Sequence, residues 1–153
     1  MKILTCLTEE KIKKTASVLA DTVRRGDVFA LFGDLGMGKT VFSRAFIQAI
    51  GNKDEDVPSP TFTLVQTYDV LKADLQTTVW HFDLYRIKNP FEIYELGMED
   101  AVNDICLIEW PQNALDLLPK NRLEIHFENG ETATQRTLSF IPKGTWEQRE
   151  LPL

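Results

Sequence analysis

Asp27-Val28-Phe29-Ala30-Leu31-Phe32 runs into Gly33-Asp34-Leu35-Gly36-Met37-Gly38-Lys39-Thr40, and the fold turns on this stretch. The first six residues are almost continuously apolar. That pattern suits a short strand buried on both faces of a parallel sheet. After Lys39, the residues Val41, Phe42, Ala45, Phe46, Ala49 and Ile50 recur at intervals of three and four, and Gly51 closes the run. The spacing predicts a helix over 39–50. The eight residues between match G-x-x-x-x-G-K-[ST] at every fixed position. Glycines let the backbone wrap tightly and aim N–H groups inward, and the helix N-terminus adds partial positive charge. The chemistry this suits is a polyphosphate cradle. Lys39 would reach the β- and γ-phosphates as a point charge, and the Thr40 hydroxyl would ligate Mg²⁺. An ordinary Gly-rich turn needs neither Gly38-Lys39-Thr40 nor the strand before it.

Outward from this core, residues 2–7 alternate enough for a strand. Thr8 followed by Glu9 and Glu10 reads as a helix N-cap with acids in the first turn. Ile12, Ala16, Leu19, Ala20 and Val23 keep helical spacing until Arg24-Arg25-Gly26 ends the run. Residues 52–60 are polar with two prolines, hence a loop. Strand-like runs follow at 61–70 and 77–85. Asn89-Pro90-Phe91-Glu92 reads as a helix start, with Gly97 as its stop. Residues 105–110 form another buried-strand run, and 111–118 a further helical segment. The runs 122–128 and 135–141 alternate around Asn129-Gly130, a turn signal, and predict a C-terminal antiparallel pair. The order implies an α/β domain with a mixed sheet.

The chain has 153 residues, a length that fits one domain over 1–153. Hydrophobic residues make up 43% and charged residues 26%, which excludes disordered and fibrous classes. No run approaches the ~18 apolar residues of a membrane span, and the N-terminus lacks the apolar core and cleavage site of a signal peptide. Cys6 and Cys106 each sit in an apolar run and read as small core residues. With only His81 and His126, no zinc spacing exists. A reducing, cytoplasmic compartment and no membrane partner are expected. The formal charge is −6, which argues against a direct hold on nucleic acid. It is uneven: residues 1–60 carry nine Lys and Arg against eight Asp and Glu, residues 61–153 eight against fifteen.

A phosphate loop needs a second acid for the metal at the end of a neighbouring buried strand. Glu109, after Ile105-Cys106-Leu107-Ile108, stands there, to hold Mg²⁺ directly or through water. In His81-Phe82-Asp83-Leu84-Tyr85-Arg86, a strand would put His81, Asp83 and Tyr85 on one face. Asp83 is open to three readings: activating an attacking water, supporting the metal from outside its ligand set, or pairing with Arg86 or a lysine. His81 reads as a hydrogen-bonded core histidine. Ser59-Pro60-Thr61-Phe62 stands where nucleotide-sensing loops of such proteins often lie, and Thr61 there can meet Mg²⁺ or a γ-phosphate. Trp110, beside Glu109, is placed to report on nucleotide binding. Asn52-Lys53-Asp54-Glu55 departs from the guanine-reading Asn-Lys-x-Asp and reads as a solvated loop.

These segments, with Glu95-Leu96-Gly97 and Ile108-Glu109-Trp110-Pro111, in this order resemble the TsaE (YjeE) family over roughly residues 1–145. These are small bacterial ATPases of tRNA threonylcarbamoyladenosine biosynthesis. The resemblance implies an α/β, three-layer, phosphate-loop NTPase-like fold with a mixed sheet, ATP and ADP as nucleotides, and Mg²⁺ held by Thr40 and Glu109. The cradle would be formed by Gly33, Asp34, Leu35, Gly36, Met37, Gly38, Lys39 and Thr40. It marks 59–61 as a nucleotide-responsive switch and Asp83 as the acid needed for hydrolysis, with Lys39 beside it in the catalytic set. Glu10 would lie near the base. Met37 replaces the commoner Ala at a position that contributes backbone. In such proteins the ATPase docks on a TsaD–TsaB pair, which transfers the threonylcarbamoyl group to adenosine 37 of tRNAs reading codons that start with A. Contact with tRNA would then be indirect. The acids of 83–109, beyond those of the metal site, would form a solvated or partner-facing surface. A small-molecule kinase and a non-hydrolysing nucleotide sensor are the alternatives.

Overall fold

Val28–Phe32 forms β2, and its apolar character on both faces is used as expected. It lies between two parallel neighbours, Ile105–Glu109 (β5) and Arg122–Asn129 (β6). The computed structural model describes residues 1–72 and 74–153. The remaining elements are β1 (Lys2–Leu7), α1 (Glu9–Asp21), α2 (Lys39–Ile50), β3 (Val65–Lys72), β4 (Leu75–Asp83), α3 (Glu92–Glu95), α4 (Met98–Ala101) and β7 (Arg136–Lys143). Short 3₁₀ segments follow β5 and β7, at Pro111–Leu117 and Gly144–Gln148. The sheet order is β1-β7-β6-β2-β5-β4-β3. Its centre is parallel and both margins are antiparallel, so the sheet is mixed.

Two apolar cores make the three layers. On one face, α1 and α2 cover Phe29, Leu31, Ile105, Leu107, Leu123 and Ile125. On the other, α3, α4 and the first 3₁₀ segment cover Val28, Phe82, Cys106 and Ile108. Alternate residues of one strand thus serve opposite layers. Phe46 of α2 is fully buried, with its ring 5.1 Å from Phe29 and 6.5 Å from Phe42. Trp146 closes the same core edge-on to Phe29 at 5.5 Å.

The sequence reading of α2 holds to the residue, and Thr8 caps α1 by accepting from the Lys11 amide. Four other readings shift. The run at 61–70 becomes strand only at Val65. Pro60 accepts from the Leu64 amide at 2.7 Å, and Leu64 sits at φ 69°, so 61–64 turn. β4 ends at Asp83 because the Asp83 carboxylate turns back to the Tyr85 amide at 3.0 Å. Asn129-Gly130 is not a two-residue turn. Asn129 pairs with Arg136, and a wider loop closes through Gly130 N–H to the Gln135 carbonyl at 2.9 Å. Cys6 is only half-buried, at φ 58° where the β1–β7 register shifts, whereas Cys106 is buried as expected.

The start of α3 follows the Asn89 reading in its bonds. Asn89 accepts from the Phe91 amide, and Glu92 accepts from the amides of Lys88 and Asn89 at 2.7 and 2.9 Å. Those backbone donors hold the Glu92 carboxyl below its usual range. Asp104 accepts from Thr77 and Trp80. Asp104, one of the acids expected on a solvated surface, is therefore structural, whereas Glu92 serves the helix start from the surface.

Phe46→Ala removes the ring on which α2 meets the sheet. It is expected to lower unfolding free energy by about 3–5 kcal/mol. A urea titration reads this as a lower midpoint at unchanged slope, and a change below about 1 kcal/mol would contradict the packing.

Candidate functional site

The loop joining β2 to α2 holds Gly36 and Gly38 at φ 78° and 105°, backbone that an L-residue adopts only under strain. Gly33, at φ 154°, is also tight: a Cβ there would meet Phe127 Cβ at 2.9 Å. Residues 34–37 turn through the Met37 amide to the Asp34 carbonyl, and α2 begins with the Phe42 amide on the Gly38 carbonyl at 2.9 Å. The first amides of a helix have no intrahelical partner, so this loop opens on unused donors. Lys39 is buried and folds back on its own loop. Its Nζ donates to the Gly33 carbonyl and lies 3.6 Å from the Trp110 ring centroid. Burial pushes its pKa below the ordinary lysine value, while Glu109, Asp83 and Asp34 pull the other way.

Parallel register sets Asp83 opposite Glu109 at the C-terminal ends of β4 and β5. Both are buried, at 3% and 2% exposure. Glu109 accepts from Thr40 Oγ1 at 3.0 Å (Oε1) and 3.3 Å (Oε2), and His81 Nε2 meets Oε2 at 2.6 Å. Asp83 accepts from the Thr61 hydroxyl at 3.1 Å on Oδ2 and from the Tyr85 amide on Oδ1. The Thr61 hydroxyl also bonds Ser59 at 2.8 Å. The suggested ion pair of Asp83 with Arg86 is not formed: Arg86 lies instead over the exposed Phe62 ring, 4.3 Å from its centroid. Thr40 and Glu109 present hard oxygen donors side by side. That suits Mg²⁺, which takes one or two protein oxygens and keeps waters and phosphate for the rest.

These groups open on one cleft of about 680 Å³. Leu35–Thr40, Ser59, Thr61, Asp83, Glu109 and Trp110 line it, so the sequence-predicted residues converge. Gly33 and Asp34 are not among the lining residues. Glu10 borders the cleft beside Glu9, Thr8 and Ile12 of the α1 start. Asn52–Glu55 lies in a turn of its own and lines none of it. Trp110 is held at φ 57°, ψ 46°, an uncommon conformation for a bulky residue, and its ring meets Tyr85 at 4.7 Å. Two contributors were missed from the sequence. Arg136 borders the cleft and donates to the Gly36 carbonyl at 3.4 Å, brought there by β7 rather than by any motif. His81 is the hydrogen-bonded core histidine expected, but that its partner is Glu109 was not read. Its sharing a strand face with Asp83 was the signal available.

The Gly-rich loop between a central parallel strand and a helix, with an acid at the end of the adjacent strand, defines an α/β fold of the phosphate-loop NTPase-like class. A family model described as "Threonylcarbamoyl adenosine biosynthesis protein TsaE" matches residues 6–138, and the chain belongs to the TsaE family. The TsaE protein of Rickettsia conorii is 44% identical over 122 residues, 79% of this chain and 67% of that protein. The TsaE protein of Bacillus subtilis is 36% identical over 118 residues, 76% and 70% of the two chains. The crystal structure of Bacillus subtilis YdiB superposes with a TM-score of 0.77 at 28% identity, covering 96% of this chain and 89% of that one. Among the described residues, no helix is long and apolar enough to cross a membrane.

The buried position of Lys39 has a direct spectroscopic consequence. In a chain labelled with ¹³C at lysine Cε, the Lys39 signal is expected to titrate at lower pH than the exposed lysines. Its assignment follows from its loss in Lys39→Met. A Lys39 midpoint at or above the others would contradict the desolvated environment.

Proposed function

We propose that this chain is a Mg²⁺-dependent ATPase that docks on a TsaD–TsaB complex and supports repeated threonylcarbamoylation of adenosine 37 in tRNAs reading ANN codons. The observation that carries this reading is the convergence of Lys39, Thr40, Glu109, Asp83 and Thr61 on one cleft. The loop amides from Gly33 to Thr40 bind phosphate oxygens, and Lys39 leaves the Gly33 carbonyl to meet the β- and γ-phosphates. Thr40 and Glu109 would hold Mg²⁺, which when bound would offset the negative charge of the phosphates. Asp83, its carboxylate fixed from two sides, orients the attacking water and accepts its proton. Glu10 faces the base edge of the cleft and accepts from an adenine amino group. Trp110 packs over the nucleotide side of Lys39.

The same bonds support a switch. Thr61 leans on Asp83 through one hydroxyl, a bond worth about 0.5–1.5 kcal/mol net. A γ-phosphate competing for Thr61 would release the 59–62 segment and the exposed Phe62 beside it. The ATP and ADP forms would thus differ in a surface loop, and that difference sets affinity for the partner. Contact with tRNA runs through TsaD–TsaB, in keeping with the net charge of −6. The family and its relatives support the pathway; the cleft supports the chemistry.

Two variants and a reconstitution test the proposal. Lys39→Ala is expected to abolish ATP binding. Asp83→Asn is expected to keep ATP binding and lower phosphate release by about 10²–10⁴-fold. Unchanged release would remove Asp83 from the catalysis, and wild-type protein that binds ATP without releasing phosphate would favour the non-hydrolysing sensor. In a reconstitution with TsaD, TsaB, threonylcarbamoyl-adenylate and tRNA, wild-type protein should raise modified tRNA per TsaD–TsaB above one turnover, and Lys39→Ala should not. Normal turnover without the protein would sink the functional assignment.

A further inference from the structure

His81 is the least explained buried polar residue of the site. Its side chain has no exposed surface, and it does not line the cleft. It therefore touches nothing that binds there. One ring nitrogen, Nε2, lies 2.6 Å from Glu109 Oε2, while the other, Nδ1, is buried without a hydrogen-bond partner among the described residues. A residue kept only to fill this space would be better as Leu or Phe, which bury no unpaired nitrogen. The unpartnered Nδ1 says that the position is occupied for what Nε2 does.

What Nε2 does follows from donor and acceptor counting. An ionised carboxylate only accepts, so Nε2 carries the proton and donates to Oε2. Glu109 Oε1 takes the closer bond from Thr40, at 3.0 Å against 3.3 Å for Oε2. The two partners come from different elements, β4 and α2, and between them engage both carboxylate oxygens. Leu107, not Glu109, is the register partner of His81, so the imidazole reaches diagonally along the strands towards their C-terminal ends.

We infer that His81 is a positioning residue of the metal site: it occupies Oε2 so that Glu109 presents Oε1, beside the Thr40 hydroxyl, to the divalent ion. The inference rests on the reading of Thr40 and Glu109 as the Mg²⁺ holders. Without the imidazole, the buried carboxylate loses its strongest hydrogen bond and is free to rotate away from Thr40. Removing a partner of this kind typically weakens metal affinity by about 10–100-fold. The phosphate cradle, built from backbone amides and Lys39, is left as it was.

The experiment separates the cradle from the metal. Binding of N-methylanthraniloyl-ADP is followed by fluorescence in EDTA and then across a Mg²⁺ titration, for wild type, His81→Phe and His81→Gln. In EDTA the three dissociation constants should agree within about twofold, since phosphate holding is untouched. The Mg²⁺ concentration at half of the metal-dependent gain should rise about 10–100-fold in His81→Phe. His81→Gln, whose amide N–H reaches Oε2, should recover most of the loss. Should His81→Phe fail to fold, His81→Asn replaces it, because its shorter amide stops short of Oε2 and the same shift is expected. A wild-type Mg²⁺ midpoint in His81→Phe, or in Asn in its place, overturns the inference and leaves the metal reading standing. Wild-type ADP binding indifferent to Mg²⁺ overturns both. Equal losses in Gln and Phe would also overturn it, since the hydrogen bond would not be what matters.

Discussion

A carboxylate taken almost wholly out of water must be hydrogen-bonded or it destabilises the fold. Glu109 is that carboxylate, and three elements meet in satisfying it. β5 carries it, α2 supplies the Thr40 hydroxyl and β4 supplies His81. The same bonds tie the Gly-rich loop to the sheet, because Thr40 is the second residue of the helix that the loop opens. The Thr40 bond thereby sets the Glu109 carboxylate beside the start of α2. The site and the joint between helix and sheet are one structure.

The local chemistry is expensive for the fold. Lys39 is a cation buried beside its own loop, with Trp110 over it, and burial pushes its pKa down. Trp110 occupies left-handed backbone directly after Glu109. Such a conformation costs on the order of 1–2 kcal/mol for a residue other than glycine. These departures cluster at the C-terminal ends of β4 and β5 and at the phosphate loop, while the two apolar cores below them are regular. The stabilising work is done by rings such as Phe29, Phe42 and Phe46.

Legibility in the sequence tracked how local each feature is. The helix 39–50 and the Thr8 cap could be read because spacing and caps act within a few residues. Glu109 and Asp83 could be read because each ends an apolar run. The start of β3 could not: Thr61-Phe62-Thr63 has strand-forming residues, yet the Pro60 carbonyl and Thr61's bond to Asp83 hold the segment in a turn. Asp104 looked like a surface acid because its donors, Trp80 and Thr77, come from β4. Arg136 was silent because nothing in β7 marks its neighbour as the phosphate loop.

By itself the sequence determined the buried strand, the glycine loop, the helix after it and the acids at the strand ends. Each is set by side-chain periodicity or by backbone freedom at a few adjacent positions. Only the tertiary structure decided the strand order β6-β2-β5-β4, and with it which acid faces Thr40 and which faces Thr61. It also decided that His81 spends its one useful hydrogen bond on Glu109. Parallel pairing joins residues 26 or more apart in the chain, as at Asp83 and Glu109. The energy of that pairing lies in contacts across the sheet, which no local pattern of residues encodes.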